Sequence, residues 1–294
     1  NQFVWIPVEV KSTDTENSIE SFYRSKWAEN TATGGERTTG LSTDYTEPYS
    51  YDTTNNYDQT NGITVQITEL TKSIYKYGGF YIGRYEAGST TERQKSSSQT
   101  EEFVVQQDKY PYVLVIWGIK MSDVSIGAVY LCNNLYSKTN TNYGATSMLC
   151  TGASWDSMLD FIKDSSHSVT DSTTWGNYSN SETYKIYRGS LGVYSNSVYT
   201  WNTANSTAGT EVTKGDEILL TTGATERNSS KNIYDVAGNC CEWTTESCRS
   251  FWRSAVGGGY SYDGSSLPAS GRNPTTPTPG YPGYGFRPVL YIKL

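Results

Sequence analysis

Apolar and polar residues are unevenly spread along the chain, and their spacing predicts most of its elements. FVWIPVEV (3–10) is a β-branched and aromatic run that predicts a buried opening strand. From 11 to 61 the chain turns polar, with few apolar positions to fix a regular element, and reads as a long surface insertion. GITVQITEL (62–70) alternates Ile63, Val65 and Ile67 with polar partners at period two and predicts a strand; GGFYIGRYEAG (78–88) predicts another. SDVSIGAVYLCNNLYS (122–137) sets Val124, Ala128, Leu131, Cys132 and Leu135 at helical spacing behind Ser122 or Asp123 as cap. SWDSMLDFIK (154–163) repeats that design, with Ser154 as cap and Trp155, Met158, Leu159 and Ile162 on one face. From 165 onward Gly, Asn, Ser and Tyr are dense and loops should outweigh regular structure, apart from short strand-like pieces such as KIYRGSLGVY and FRPVLYIKL. Two short helices among many strands predict an α+β fold. With no fixed repeat and no Pro- or Gly-rich linker, a single domain over 1–294 is expected.

Composition narrows the function. The 294 residues include 25 Tyr, 8 Trp and 27 Gly but are only 18% charged, and Tyr, Ser, Gly and Asn are what recognition surfaces use. A net charge of −7 and the lack of a Lys/Arg cluster exclude a nucleic-acid partner. No apolar stretch approaches a membrane span, so no membrane insertion is expected, and no signal sequence opens the chain. It begins at Asn1 rather than Met, as a fragment or processed product would.

Five cysteines are too few for a disulfide scaffold, and the odd number leaves at least one thiol unpaired. The one histidine, His167, lies in the polar loop DSSHSVTDS; a solvated surface role fits it, and His-based zinc ligation or a Ser-His or Cys-His nucleophile does not. NIYDVAGNCCEWTTE (232–246) raises a sharper question, because adjacent Cys240 and Cys241 could be a redox pair, a metal site, or two small residues on a buried strand. A bond between neighbours needs a strained eight-membered ring, which ordinary disulfide geometry disfavours.

Five separated motifs resemble one family in order. FVWIPVEV with FYIGRYEAG, MLCTGASWDSMLDFI, NIYDVAGNCCEWTTE, AVGGGYSYDG and YGFRPVLYI are similar to segments of the formylglycine-generating-enzyme and sulfatase-modifying-factor group. The resemblance runs from Phe3 to Ile292 and implies that group's C-type lectin fold, with two helices, a small twisted sheet and extensive loops. It also implies that Cys240 and Cys241 are strand fillers and that Arg287 pairs with a buried acceptor such as Glu242, with Arg272 structural as well. The enzymes of the group use a copper-binding cysteine pair between the Gly-Gly-Ser-like and Gly-Phe-Arg segments. Here that interval, 259–287, holds no cysteine, and Ser, Tyr or Asn cannot replace a thiolate for Cu(I). The expectation is therefore no enzyme and no required cofactor. Family members hold a structural calcium near this turn, which would place Asp235 and Glu242 as oxygen ligands, although two carboxylates near a turn are more often caps or salt-bridge partners. Calcium-dependent sugar motifs are missing: only TWNTAN approaches one, with Thr203 where the acid belongs.

What remains resembles the variable proteins of diversity-generating retroelements, which display a hypervariable ligand-binding face near the C-terminus of this fold. Adenine mutagenesis of AAY codons cannot encode Met, Trp, Lys, Gln or Glu, and none of these occurs from 254 to 292. A turn-rich segment also tends to exclude long side chains. The resemblance implies a variable region over about 249–287. There Tyr260, Tyr262, Asp263, Ser265, Ser266, Ser270, Asn273, Thr276, Tyr281 and Tyr284 would meet the ligand, with Phe251 and Trp252 at the rim. The partner expected is a protein or glycan on a cell surface, and the expected location a bacterial cell surface or a phage tail. An active oxidase homologue and an invariant phage-tail or adhesin module are the alternatives.

Overall fold

The computed structural model describes residues 1–23, 45–47, 62–118, 125–137, 142–248 and 252–294. In chain order its main elements are β1 (Phe3–Pro7), β2 (Tyr45–Thr46), helix α1 (Ile63–Tyr77), β3 (Gly79–Gly83), α2 (Ala128–Leu135), β4 (Ala145–Leu149) and α3 (Gly152–Ile162). Then follow β5 (Ser190–Ser195), β6 (Val198–Thr203), β7 (Ile218–Leu220), β8 (Cys241–Cys248), β9 (Trp252–Val256), β10 (Arg272–Thr275), β11 (Tyr284–Phe286) and β12 (Pro288–Ile292). The fold is mixed α+β, with three α-helices among the described residues and several small, mainly antiparallel sheets.

One antiparallel sheet, ordered β1–β3–β12–β4, joins the two ends of the chain. Its apolar side chains Ile6, Phe80, Ile82, Met148 and Val289 pack against Leu70 and Ile74 of α1 and Trp155, Met158 and Leu159 of α3, all fully buried. A second sheet, ordered β10–β9–β8–β11, has β11 parallel to β8 and β2 on the far end of β8. Beside it lies a second core rich in aromatic side chains, with Phe103, Tyr112, Trp117, Trp243 and Phe286. The hairpin β5–β6 and β7 form a third sheet.

Several expectations are corrected. The segment 62–70 is the start of α1, not a strand. Its β-branched alternation spans only three apolar positions, whereas burial of Ile63, Leu70, Ser73 and Ile74 follows a helical period over 15 residues. Gly78, left-handed at φ 77°, closes the helix by donating its N–H to Ile74 O. The stretch 11–61 is not wholly a surface insertion: Ile19 and Phe22 are buried, with Phe22 edge-on to Phe80 at 5.8 Å, and Tyr45–Thr46 pairs with β8. Residues 24–44 and 48–61 lie outside the described residues. Helix α2 starts at Ala128 with Gly127 at its N-cap and no side-chain cap; the expected caps Ser122 and Asp123 lie outside the described residues. In the region 165–294 loops outweigh regular structure, as expected, although most of the described strands lie there.

Thr151, not Ser154, caps α3. Its hydroxyl accepts the Ser154 N–H at 2.9 Å and donates to Ser154 Oγ at 2.8 Å. Glu47 takes the remaining free donors, accepting from Gly152 N at 2.9 Å and Ala153 N at 3.3 Å. Thr151→Ala is expected to cost about 1–2 kcal/mol in urea unfolding, since it strands a buried N–H. No loss would mean that Glu47 alone satisfies the helix end. Among the described residues no helix is long and apolar enough to cross a membrane.

Candidate functional site

The turn at 235–239 sets the geometry of the C-terminal region. Asp235, Gly238 and Asn239 all have positive φ, at 58°, 73° and 58°. A Cβ at Gly238 would land on the Asn177 carbonyl, so only glycine allows the chain to pass here. Asn239 ties the turn to its surroundings, accepting from Asn177 Nδ2 and Leu220 N at 2.9 Å each and donating to Leu220 O and the Glu86 carboxylate.

From this turn β8 runs fully buried. Cys240 and Cys241 are free thiols that enter different cores, Cys240 among Val113, Leu114, Tyr199, Leu219 and Tyr260, and Cys241 among the aromatic set with Trp243. Burial pushes both thiols up, away from the thiolate that redox chemistry and metal binding need. Cys241 opens β8, whereas Cys240, expected to be a strand residue too, lies in the turn before it.

Two buried arginines hold the C-terminal segment to β8. Arg287 donates to Glu242 from Nη2 at 2.6 Å and from Nε at 3.0 and 3.2 Å, and to the carbonyls of Gly83 and Tyr234 at 2.8 and 2.9 Å. Arg272 donates to Glu246 at 3.0 and 3.2 Å and to Asp156 of α3 at 2.8 Å. All five side chains are buried. The Arg287–Glu242 pair answers the fit of a calcium ion at Asp235 and Glu242. Both Glu242 oxygens face a guanidinium, and one Asp235 oxygen accepts Gly223 N at 2.7 Å, so the donors do not fit a dication there. Among the described residues no group of three or more His, Cys, Asp or Glu side chains is placed to hold a metal.

The predicted ligand-contacting residues separate into three groups. Tyr262, Asn273, Thr276, Tyr281 and Tyr284 come together beside β10 and β11, with the tyrosines against the aromatic core. Asn273 Nδ2 donates to Tyr284 Oη at 2.7 Å and Tyr262 Oη at 3.3 Å, and the Thr276 and Tyr281 hydroxyls are 2.7 Å apart. The Tyr281 and Tyr284 rings lie 5.0 Å apart, with Trp243 at 5.5 Å beneath Tyr284. Tyr284 is 8% exposed and the other four are half-buried. Asp263, Ser265 and Ser266 are exposed on a neighbouring turn against Ser179 and Asn180.

Tyr260 and Ser270, expected on the surface, are buried. Tyr260 packs into the core beside Cys240, its hydroxyl 3.2 Å from that of Tyr199 on β6, because the β5–β6 hairpin covers it. Ser270 is fixed under α3, its N–H on Val169 O at 3.0 Å, next to Ala269, whose carbonyl accepts Trp155 Nε1. Trp252 is half-buried at the start of β9, and Phe251 lies outside the described residues.

The support of this surface comes from a segment outside the predicted contact residues. Residues 277–283 rest on the apolar run 113–117, with Trp117 N donating to Pro277 O at 2.9 Å and Leu114 N to Tyr281 O at 3.2 Å. That run, VLVIW, was the available signal. A cleft of about 460 Å3 opens elsewhere, between Phe103 and Val104 and the Tyr130, Leu131 and Leu135 side chains of α2. No family model matches the chain, and no curated protein does. One similar solved structure is Treponema denticola variable protein 1, at 12% identity over 73% of this chain and 85% of that one, with a TM-score of 0.39, a likeness too slight to assign a fold.

Proposed function

We propose that this chain is a non-catalytic ligand-binding protein. In this reading its C-terminal segment is a variable recognition surface on a C-type lectin fold, of the kind that diversity-generating retroelements produce. Its setting would be a bacterial cell surface or a phage tail, and its target a protein or glycan on a cell. The observation that carries the reading is the pair of anchors: Arg272 and Arg287 fix both ends of a segment whose intervening Asn273, Thr276 and Tyr281 are only half-buried. Side chains in such a segment contribute little to the core, so they can change while the backbone stays in place. The absence of Met, Trp, Lys, Gln and Glu from 254 to 292 fits adenine-directed diversification. Against an oxidase, 259–287 lacks cysteine and all five thiols are buried.

Two measurements test the reading. In a library diversified at Tyr262, Asp263, Ser265, Ser266, Asn273, Thr276 and Tyr281, most members should keep Tm within about 5 °C of the parent, because surface changes usually stay within about 0.5 kcal/mol. Widespread unfolding would overturn the idea of a substitutable surface. The DNA beside the gene should hold a reverse transcriptase and a near-copy of the last coding segment that differs only at adenines. Its absence from complete genomic sequence would end the diversification part.

A further inference from the structure

We propose that the surface formed by Tyr262, Asn273, Thr276, Tyr281 and Tyr284 takes a neutral saccharide, bound without calcium. The proposal rests on the recognition surface argued above and names its ligand class.

Hydrogen-bond capacity is the first argument. Asn273 Nδ2 spends its two protons on the Tyr284 and Tyr262 hydroxyls, which fixes the amide and leaves Oδ1 as an acceptor. The Thr276 and Tyr281 hydroxyls share one bond of 2.7 Å; each carries one proton, so the pair keeps one donor to offer. An acceptor and a donor on one small surface suit a group that both gives and receives a hydrogen bond. Hydroxyls do this, and a saccharide presents several on one rigid ring.

Charge is the second. Among the described residues, the charged side chains beneath this surface are buried: Arg272 is held by Glu246 and Asp156, and Arg253 lies over the Trp117 ring at 4.7 Å. Asp263, next in the chain to Tyr262, points its carboxylate to Ser179 Oγ at 3.4 Å. An acidic or basic ligand would find no exposed counter-charge among Tyr262, Asn273, Thr276, Tyr281 and Tyr284, and would lose hydration without compensation. A neutral one loses little.

Shape is the third. The half-buried Tyr281 ring, braced by Tyr284 at 5.0 Å and by Trp243 below that, is a rigid apolar platform with polar groups at its edge. The C–H face of a pyranose matches the electron-rich face of such a ring, while its hydroxyls reach the edge groups. Because the tyrosines are already packed and bonded to one another, binding orders few side chains.

The test is calorimetric titration of the whole chain with cellotriose, maltotriose, mannotriose and a wider neutral glycan panel, with sialyllactose as the anionic comparator, in buffer containing EDTA. A neutral saccharide should bind with an affinity unchanged by EDTA or by raising NaCl tenfold, and sialyllactose should not bind through its acid. Asn273→Ala and Tyr281→Ala should each weaken binding at least tenfold with Tm held, and Tyr281→Phe should weaken it less than Tyr281→Ala. Binding that needs calcium, or that ignores both alanine variants, overturns the proposal. If no neutral glycan binds, yet the diversified library stays folded and yields binders to a chosen protein target, the saccharide assignment falls and the recognition surface stands. If the library unfolds, the recognition surface itself falls.

Discussion

Arg272→Ala is expected to destabilise the protein by about 4 kcal/mol or more, a loss on the order of 10 °C in Tm. The guanidinium sits between Glu246 at 3.0 Å and Asp156 at 2.8 Å, with side-chain exposures of 0% and 2%. Its removal takes this guanidinium away from two buried carboxylates. Such truncations cost far more than the intact pair contributes, because the partner must stay charged at a desolvation penalty or take up a proton. The same change releases β10 from both β8 and α3, so any ligand bound at Asn273 should be lost with the fold. Arg272→Met keeps the volume and should still cost several kcal/mol. Adding Glu246→Gln to Arg272→Met should recover part of that loss, because one buried negative charge that faced the guanidinium goes with it. Chemical unfolding of the three variants checks this. A cost below about 1 kcal/mol for Arg272→Ala would show that the pocket admits water and that the anchor is weak.

How much of this was readable in advance depended on the distance over which each residue finds its partner. The face of α3 was legible because Trp155, Met158, Leu159 and Ile162 declare a helical period within eight residues, and all are buried. The period of 63–67 was not, because three β-branched residues fit strand and helix alike until Leu70 and Ile74 are counted. The Arg287–Glu242 pair was foreseeable from its motifs. The triad of Arg272 with Glu246 and Asp156 was not, since its members lie 26 and 116 residues apart with no local signal. Tyr260 and Tyr262 look equivalent in sequence. The difference comes from Tyr199, 61 residues earlier, which covers one and leaves the other half-open. Local pattern thus reported elements and candidate contacts, while long-range packing decided which contacts reach the surface.

The protein should also lose stability as pH rises from about 5 to 8, by on the order of 5 °C in Tm. Three carboxylates, Glu86, Asp235 and Glu242, are fully buried around the single guanidinium of Arg287. Glu242 takes that guanidinium for itself. Glu86 accepts from Asn239 and lies against the Cys240 thiol, and Asp235 accepts from Gly223 N beside the Asn228 side chain. Burial, joined by repulsion from Asp235 and Glu242, pushes the Glu86 carboxyl well above the usual range. Burial likewise pushes Asp235 up to about 7. In the unfolded chain both groups titrate near 4, so between about pH 4 and 7 the folded state holds protons that the unfolded state has released. Stability from Asp235 is therefore full below pH 4 and is lost as pH rises through 7, and the contribution of Glu86 falls in the same direction. The opposite trend comes from Asp14, Asp164, Glu182 and Glu226, whose carboxyls are lowered, but these lie at the surface, where solvent screening keeps their contribution small. Glu86→Gln and Asp235→Asn keep the shapes and remove the titration, and asparagine tolerates the left-handed backbone at 235. Each variant should flatten the Tm profile between pH 5 and 8, the double variant most, and raise Tm at pH 8. A parent profile that is flat or rising over this range would mean that Glu86 and Asp235 are solvated or paired in a way these contacts do not reveal.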